Sequence, residues 1–591
     1  MSGPGWPGTQ HQWSPPFVEH LFVEYRQVPF ADSSAGEREP GFVTTRWSRP
    51  ALEAVRSGSS RRTQPLPPAG ARLPHHDRAS ASRWTIPGGS HVTTTHTAPG
   101  ATVTTVPDRP MLIDGQWVAA LDGEWSEVPS PGRRGTILAR VPVGRPADAD
   151  RAVSAARAAF PAWRALHFKD RQKAILRIAD ALEEHAEELA LLTAADTGNA
   201  LRTQARPESQ SLVNLFRYFG GVAGEFKGAV LPAGDDQLQY TRREPLGVVA
   251  GILPWNSPLM IAGMKTPASL AAGNTLVLKT AQEAPLTVLR MAEIASEFLP
   301  DGVLNVVTGR GSDIGEALLV HPGVDKVSFT GSTTIGRRVG EVTGRRLAHV
   351  SLELGGKSPN IVFADSATQE RIDATAAGVL TAMRFTRQGQ SCTAGSRLFV
   401  HADVYDEFLA ALVDKVKQLK VGDPLDEATD MGSIISQKQF DSVQGYIDEG
   451  KAQPGVQVAL DGSDQVPPGL DGFYQGPTIL AGVDNTWRIA QEEIFGPVLV
   501  AIPWRDRDEV IAMANDSHFG LGAYIWTQNL TDALDTAHRV ESGWIQVNQG
   551  GGQVIGQSYG GYKTSGIGRE FSLEGALESF TQIKQINVKL G

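Results

Sequence analysis

Short apolar runs, separated by stretches with helical spacing, are what most constrain this chain. Runs at 246–253, 275–278, 304–307, 326–330 and 360–363 recur at intervals of roughly 25–30 residues, the rhythm of βαβ units. Strands joined in this way lie parallel in one sheet with helices on its faces, so the expected fold class is α/β. Leu112-Ile113-Asp114-Gly115-Gln116-Trp117-Val118 reads as a hairpin turning at Asp-Gly. Asp148 or Asp150 caps an expected helix that runs to Phe160 and stops at Pro161. Ile175, Ile178, Leu182 and Leu189 share one face of a long expected helix ending near Gly198. At the C-terminus Ile586, Val588 and Leu590 alternate with Asn587 and Lys589, a half-buried strand. With no helix after it, that strand must pair elsewhere, and an edge of this kind is often covered by another subunit. No internal repeat is present.

The first 110 residues break the pattern. They hold 15 of the chain's 37 prolines and no lysine, and they carry a net charge of +3 within a chain of −10. Neither helical nor strand periodicity persists there, and such a composition does not offset the entropy of ordering. We expect this stretch to be mostly disordered. Three readings stay open for it: a flexible tail, a translated upstream stretch with Met111 as the true start, or a targeting or partner-binding arm. Mild overall acidity argues against nucleic acid or an anionic membrane as the main partner. No apolar run reaches the ~18 residues of a membrane span, and a basic-then-apolar leader is missing. The expected location is the cytoplasm. One cysteine, Cys392, excludes an intrachain disulfide and multi-cysteine zinc or iron–sulfur sites, and no metal site is expected.

That cysteine lies in Gln388-Gly389-Gln390-Ser391-Cys392-Thr393-Ala394-Gly395-Ser396. A lone cysteine is more often a small buried hydrophobe than a nucleophile, but these neighbours describe a polar loop at an element's end. A helix starting just after it is expected to lower the thiol pKa. A nucleophile also needs an oxyanion donor and a base. Asn256, in Pro254-Trp255-Asn256, follows an apolar strand directly and so sits at the carboxyl edge where open α/β sheets bind ligands; the plain alternative is a turn asparagine. Glu353, between Leu352 and Leu354 and ahead of Gly355-Gly356-Lys357, is either a misplaced surface charge or a buried carboxylate of raised pKa. Gly331-Ser332-Thr333-Thr334-Ile335-Gly336 suits a pyrophosphate at a helix N-terminus. Gly309-Arg310-Gly311-Ser312-Asp313-Ile314-Gly315 matches a dinucleotide fingerprint lengthened by one residue. Each glycine signal is weak alone. The run 560–570, with four glycines, Lys563, Arg569 and Glu570, is more specific.

Taken in order, these segments together with Glu492-Glu493-Ile494-Phe495-Gly496-Pro497 resemble the aldehyde dehydrogenase superfamily over about 111–591. The resemblance implies a Rossmann-type parallel-sheet cofactor domain, an α/β catalytic domain and a small β oligomerisation arm. The expected bounds are 111–225 and 246–355 for the cofactor domain, 356–570 for the catalytic domain, and 226–245 with 571–591 for the arm. It implies an NAD(P)-dependent oxidation of an aldehyde to an acid: Cys392 attacks as thiolate, the Asn256 amide and the Cys392 N–H hold the oxyanion, and Glu353 activates the hydrolytic water. Lys265 and Glu570 match proton-relay positions, with a plain ion pair as the alternative. Trp255, Lys279, Gln282, Gly311, Gly315, Gly331, Ser332, Glu493 and Phe495 match the cofactor side, Lys279 and Glu493 at ribose-contacting positions. A homodimer or homotetramer is implied, with the terminal strand paired in another subunit.

Three departures matter. Many NAD-preferring members carry Glu where this chain has Gln282, followed by Glu283. A neutral side chain does not repel a 2′-phosphate, so NAD is the expected cofactor with NADP also possible. The interval from Glu353 to Cys392 is 39 residues, a few more than usual, and is read as a loop or helix extension. Arg384 and Arg387 precede the nucleophile, to bind an acidic substrate tail or to face solvent. Thr386 replaces the arginine of succinic semialdehyde dehydrogenases, and the loop 549–559 is uncharged, which favours an aliphatic or aromatic aldehyde. The rival readings are a CoA-acylating semialdehyde dehydrogenase, against which Glu353 argues, and a non-catalytic scaffold protein.

Overall fold

The computed structural model describes residues 93–96 and 102–591, with side chains from Val106 onward. Five parallel strands form the centre of the first sheet: β1 (Val248–Ile252), β2 (Thr275–Lys279), β3 (Leu304–Val307), β4 (Lys326–Thr330) and β5 (His349–Glu353). Their order across the sheet is β5-β4-β1-β2-β3. The chain therefore moves outward in one direction from β1 to β3 and then restarts on the other side with β4. A crevice opens between the carboxyl ends of β1 and β4, the topological switch point at which such sheets bind ligands. Every residue of β1, β2 and β3 is buried, as strands covered by helices on both faces must be. Helix α1 (Pro258–Ala272) follows β1 and buries every residue except Met260, so its one charged residue, Lys265, has to find a partner inside the protein. Helix α2 (Leu286–Ser296) follows β2, and α3 (Thr333–Arg346) follows β4.

A second sheet begins immediately after β5. Its strands β6 (Pro359–Val362), β7 (Arg397–His401), β8 (Thr478–Ala481), β9 (Val498–Trp504), β10 (Gly522–Trp526) and β11 (Trp544–Val547) run parallel in the order β8-β9-β7-β6-β10-β11. The segment from β5 to β6 thus carries Glu353 from one sheet to the other. A separate antiparallel ribbon pairs Thr581–Lys589 with Gln237–Pro245 over nine residues and adds Val230–Leu231 at its far edge. Fold class and parallel topology agree with the sequence reading.

Several local expectations are corrected. The hairpin forms, Met111–Ile113 against Gln116–Val118, with Asp114 and Gly115 both at positive φ, as a two-residue primed turn requires. The next helix, however, spans Pro146–Ala165 with Pro161 inside it. Pro161 and Arg157, the residue whose carbonyl loses its partner, are both exposed, a setting in which a freed carbonyl can be solvated, while buried Trp163 anchors the last turn. Its capping carboxylate is Asp148, whose Oδ2 accepts from the Arg145 N–H at 3.0 Å; Asp150 has no such role. The long helix expected up to Gly198 is two helices, Phe168–Glu184 and Ala186–Thr197, broken at His185. There the imidazole Nδ1 lies 2.9 Å from Glu188 Oε2; Gly198, at φ 77°, ends the second helix as expected. The C-terminal strand finds its partner in its own chain. Of the stretch expected to be disordered, 1–92 and 97–101 lie outside the described residues. Its last part is packed: Val106 N–H donates to the Leu138 carbonyl at 3.0 Å and Arg109 Nη1 meets Glu293 at 2.7 Å.

Candidate active site

The Cys392 loop is held by backbone contacts that only glycine permits. Gly389 has φ 64°, and a β-carbon there would lie 2.0 Å from the Gly496 carbonyl oxygen. A β-carbon on Gly356 would lie 2.2 Å from the Cys392 carbonyl oxygen. The strand-end segment that carries Glu353 is thereby pressed against the nucleophile's backbone. Asn256 follows β1, and its Nδ2 donates to the Gln390 carbonyl at 2.9 Å, two residues before the cysteine. The Tyr524 hydroxyl donates to the Thr393 carbonyl at 2.8 Å on the other side. The Cys392 N–H has no acceptor among the described residues. No helix starts after Cys392; the chain passes through a turn into β7. The expected help from a helix N-terminus is therefore missing, and burial pushes the thiol up to about 11, opposed by a hydrogen bond from Tyr559.

Two carboxylates beside this loop have opposite environments. Glu353 ends β5 and is 4% exposed, and neither carboxyl oxygen has a partner among the described residues. Burial, and secondarily the negative charge of Glu570, push its pKa well above the usual carboxylate range. Burial also acts on Glu570, but there it is outweighed. Lys265 Nζ meets Oε2 at 3.0 Å and Oε1 at 3.2 Å, the Ser328 hydroxyl donates to Oε1 at 2.8 Å, and the Ser351 hydroxyl at 3.0 Å. Lys265, the Ser328 hydroxyl and the charge of Lys326 hold Glu570 below its ordinary range. The buried lysine of α1 has found its partner, and the ion pair is 0% and 1% exposed. Environments that drive two neighbouring carboxyls apart are the arrangement from which acid–base chemistry is built.

The crevice side holds the remaining expected residues. Gly331 N–H donates to the Glu353 carbonyl at 3.0 Å, tying the glycine turn to the carboxylate. Ser332 caps α3, and the Thr330 and Thr333 hydroxyls beside it have no partner among the described residues. Trp255 and Phe495 meet edge to face at 5.2 Å. Glu493 Oε1 accepts from the Gly356 N–H at 3.0 Å, and burial raises this carboxyl to about 7. Lys279 ends β2, and burial lowers its ammonium to about 8 against the attraction of Glu283. Gln282, Gly309 and Arg310 line one small cleft beyond it. Gly311 opens the turn Gly311–Gly315, and a β-carbon there would meet nothing within 4 Å; Gly315 closes the turn. Unpaired hydroxyls at the start of a 14-residue helix, a buried ammonium and open glycines fit a dinucleotide's phosphates and riboses.

Arg384 and Arg387 are half-buried, and both are bonded to protein acceptors. Arg384 donates to the Gly550 carbonyl at 3.0 Å and the Gly551 carbonyl at 2.6 Å. Arg387 donates to Gln204 Oε1 at 2.9 Å and lies 3.7 Å from Glu208. They brace the interval before the nucleophile, which holds the helix Ile372–Ala382 and the short turn Phe385–Arg387. Tyr559 was missed by the sequence reading: its hydroxyl lies 3.5 Å from Cys392 Sγ. It closes an uncharged loop 167 residues further along, and nothing local marks it as a site residue.

The chain is similar to known proteins over its described part. The model of the aldehyde dehydrogenase family matches residues 117–586. A hydroxyisobutyraldehyde dehydrogenase of Mycolicibacterium austroafricanum is 39% identical over 481 residues, covering 81% of this chain and 94% of that protein. An aldehyde dehydrogenase of Bacillus cereus, solved with NAD+, is 38% identical with a TM-score of 0.78, covering 82% of this chain and 97% of that one. An indole-3-acetaldehyde dehydrogenase of P. syringae, solved as a cysteine-to-alanine variant with NAD+ and IAA, is 40% identical with a TM-score of 0.78, covering 82% and 97%.

Proposed function

Because the chain belongs to the aldehyde dehydrogenase family, we propose that it oxidises an aldehyde to the carboxylic acid with NAD+ through a covalent adduct on Cys392. The observation that carries this reading is the buried, unpartnered Glu353 carboxyl on a segment packed against the sole cysteine. In this reading the Cys392 sulfur bonds to the carbonyl carbon, and the Asn256 amide and the Cys392 N–H hold the oxygen as it becomes anionic. The chemistry supplied by bound NAD+ is acceptance of the hydride. Glu353 then takes a proton from water as that water attacks the thioester carbon, the C–S bond breaks, and the acid leaves. Lys265 and Glu570, inward of Glu353, are the next stations for its proton. Lys279 and Glu493 hold ribose hydroxyls, with Gly331 and Ser332 at the phosphates and Trp255, Gly311, Gly315 and Phe495 lining the dinucleotide.

An uncharged aliphatic or aromatic aldehyde is the proposed substrate class. Both arginines near the nucleophile are committed to protein acceptors, and the loop 549–559 has no charged side chain. A hydroxylated aliphatic and an indole-bearing aldehyde name two of the relatives, which brackets the panel to be tried. Neutral Gln282 beside Arg310 puts no negative charge against a 2′-phosphate, so NADP+ is expected to serve as the poorer cofactor. The test is NADH absorbance over an aldehyde panel, with NAD+, NADP+ and added CoA as separate arms. Turnover with NAD+ and no acyl-CoA supports the proposal. Acyl-CoA as product, or a tenfold preference for NADP+, would overturn its mechanism or its cofactor respectively.

A further inference from the structure

We propose that the Tyr559 hydroxyl is a catalytic hydrogen-bond donor to the Cys392 sulfur, the group that makes a thiolate attainable in this buried loop. The proposal rests on the reading of Cys392 as nucleophile. The phenolic oxygen is 3.5 Å from Sγ, within reach for a sulfur acceptor. Its position is fixed from three directions. The Tyr559 and Glu570 backbones exchange hydrogen bonds at 3.1 and 2.8 Å, so the tyrosine is clamped to the residue that pairs with Lys265. The ring packs edge-on against Trp544 at 6.0 Å and Phe571 at 6.5 Å. Tyr559 is 4% exposed, and the Gln553 side chain is the other hydrogen-bond partner of its hydroxyl.

The Cys392 backbone N–H and the Arg387 charge also favour the thiolate, but they do not offset burial. No helix begins just after Cys392 to help. Both nearby guanidinium groups are engaged elsewhere, and the Ser391 hydroxyl pairs with Thr393 at 3.2 Å. The charged and titratable groups that face the thiol are Glu353 and Glu493, whose negative charge opposes ionisation, Arg387, and the phenols of Tyr524 and Tyr559. Of these, Tyr559 alone reaches Sγ with a hydrogen-bond donor among the described residues. Burial pushes its own pKa well up, so the phenol keeps its proton and stays a donor over the working pH range. When the thiol ionises, the proton leaves to solvent or base and the phenolic O–H remains bonded to the sulfur anion. A charge-assisted bond of this type is among the stronger ones.

The test is the pH dependence of Cys392 alkylation by iodoacetamide, followed by intact mass on the full chain, in the natural protein and in Tyr559→Phe. Phenylalanine keeps the ring contacts and the backbone clamp, and circular dichroism checks that the variant is folded. Losing the hydroxyl is expected to raise the midpoint by about one pH unit, with alkylation about tenfold slower below it. The alkaline shift should reappear in the pH profile of NADH formation. Tyr559→His, which returns a hydrogen-bond donor at this position, is expected to recover part of the reactivity. A folded Tyr559→Phe with an unchanged alkylation profile overturns the proposal. The nucleophile reading fails separately, if the natural protein keeps its turnover after Cys392 is fully alkylated.

Discussion

At the scale of single residues, the site depends on how burial treats each ionisable group. Glu353 and Glu570 are both buried, yet one is pushed up and the other held down, because only Glu570 has an ammonium and two hydroxyls on its oxygens. A base with a raised pKa gains its working form only as the pH climbs through that value. Turnover limited by thioester hydrolysis is therefore expected to rise from neutral into alkaline pH. Glu353→Gln should flatten that limb and lower kcat by about 10²–10⁴-fold, measured by steady-state NADH formation across pH. A flat profile in the natural protein would argue against Glu353 as the base. Cys392, Asn256 and Glu353 were proposed from the sequence because each sits in a motif with its own local chemistry. Tyr559 was not, because its role comes from a contact between segments 167 residues apart that no local pattern encodes.

Among elements, periodicity located the parallel strands well, since strands buried on both faces read as unbroken apolar runs. What it could not supply was how tertiary surroundings override local breakers. Pro161 continues a helix on its exposed face, and His185 ends one in mid-pattern beside Glu188. The helix expected after Cys392 does not form, so its proposed effect on the thiol gives way to the contact with Tyr559. Lys265 is the other case: a charge in a helix buried on almost every side reads as an anomaly until Glu570 is brought to it from 305 residues away. Breaking one partner of such a pair strands the other. Lys265→Met is expected to lower unfolding stability by about 3–5 kcal/mol, read by chemical denaturation at neutral pH. The loss should shrink on acidification, because a protonated Glu570 no longer needs the ammonium; equal losses at both pH values would contradict this account of the pair.

For the molecule as a whole, the arm formed by Gln237–Pro245 and Thr581–Lys589 stands apart from both main sheets. It exposes Val230, Leu238, Ile583 and Val588, with Ile583 at 62%, and its last strand has an edge with no strand partner among the described residues. Exposed strand edges bearing apolar side chains call for cover. We expect a homodimer or homotetramer, read by light scattering as two or four times the 63.3 kDa chain; a stable monomer at working concentration would contradict it. The described site residues run from Trp255 to Glu570, C-terminal to the proline-rich first 110.

One measurement addresses the central claim most directly. Cys392 is the only thiol in the chain, so an alkylating reagent followed by intact mass gives the modified fraction without ambiguity. NADH formation from an accepted aldehyde is then measured on the same samples. The account requires activity to fall in proportion to the alkylated fraction and to vanish when one adduct per chain is complete. Full alkylation with turnover unchanged would contradict it.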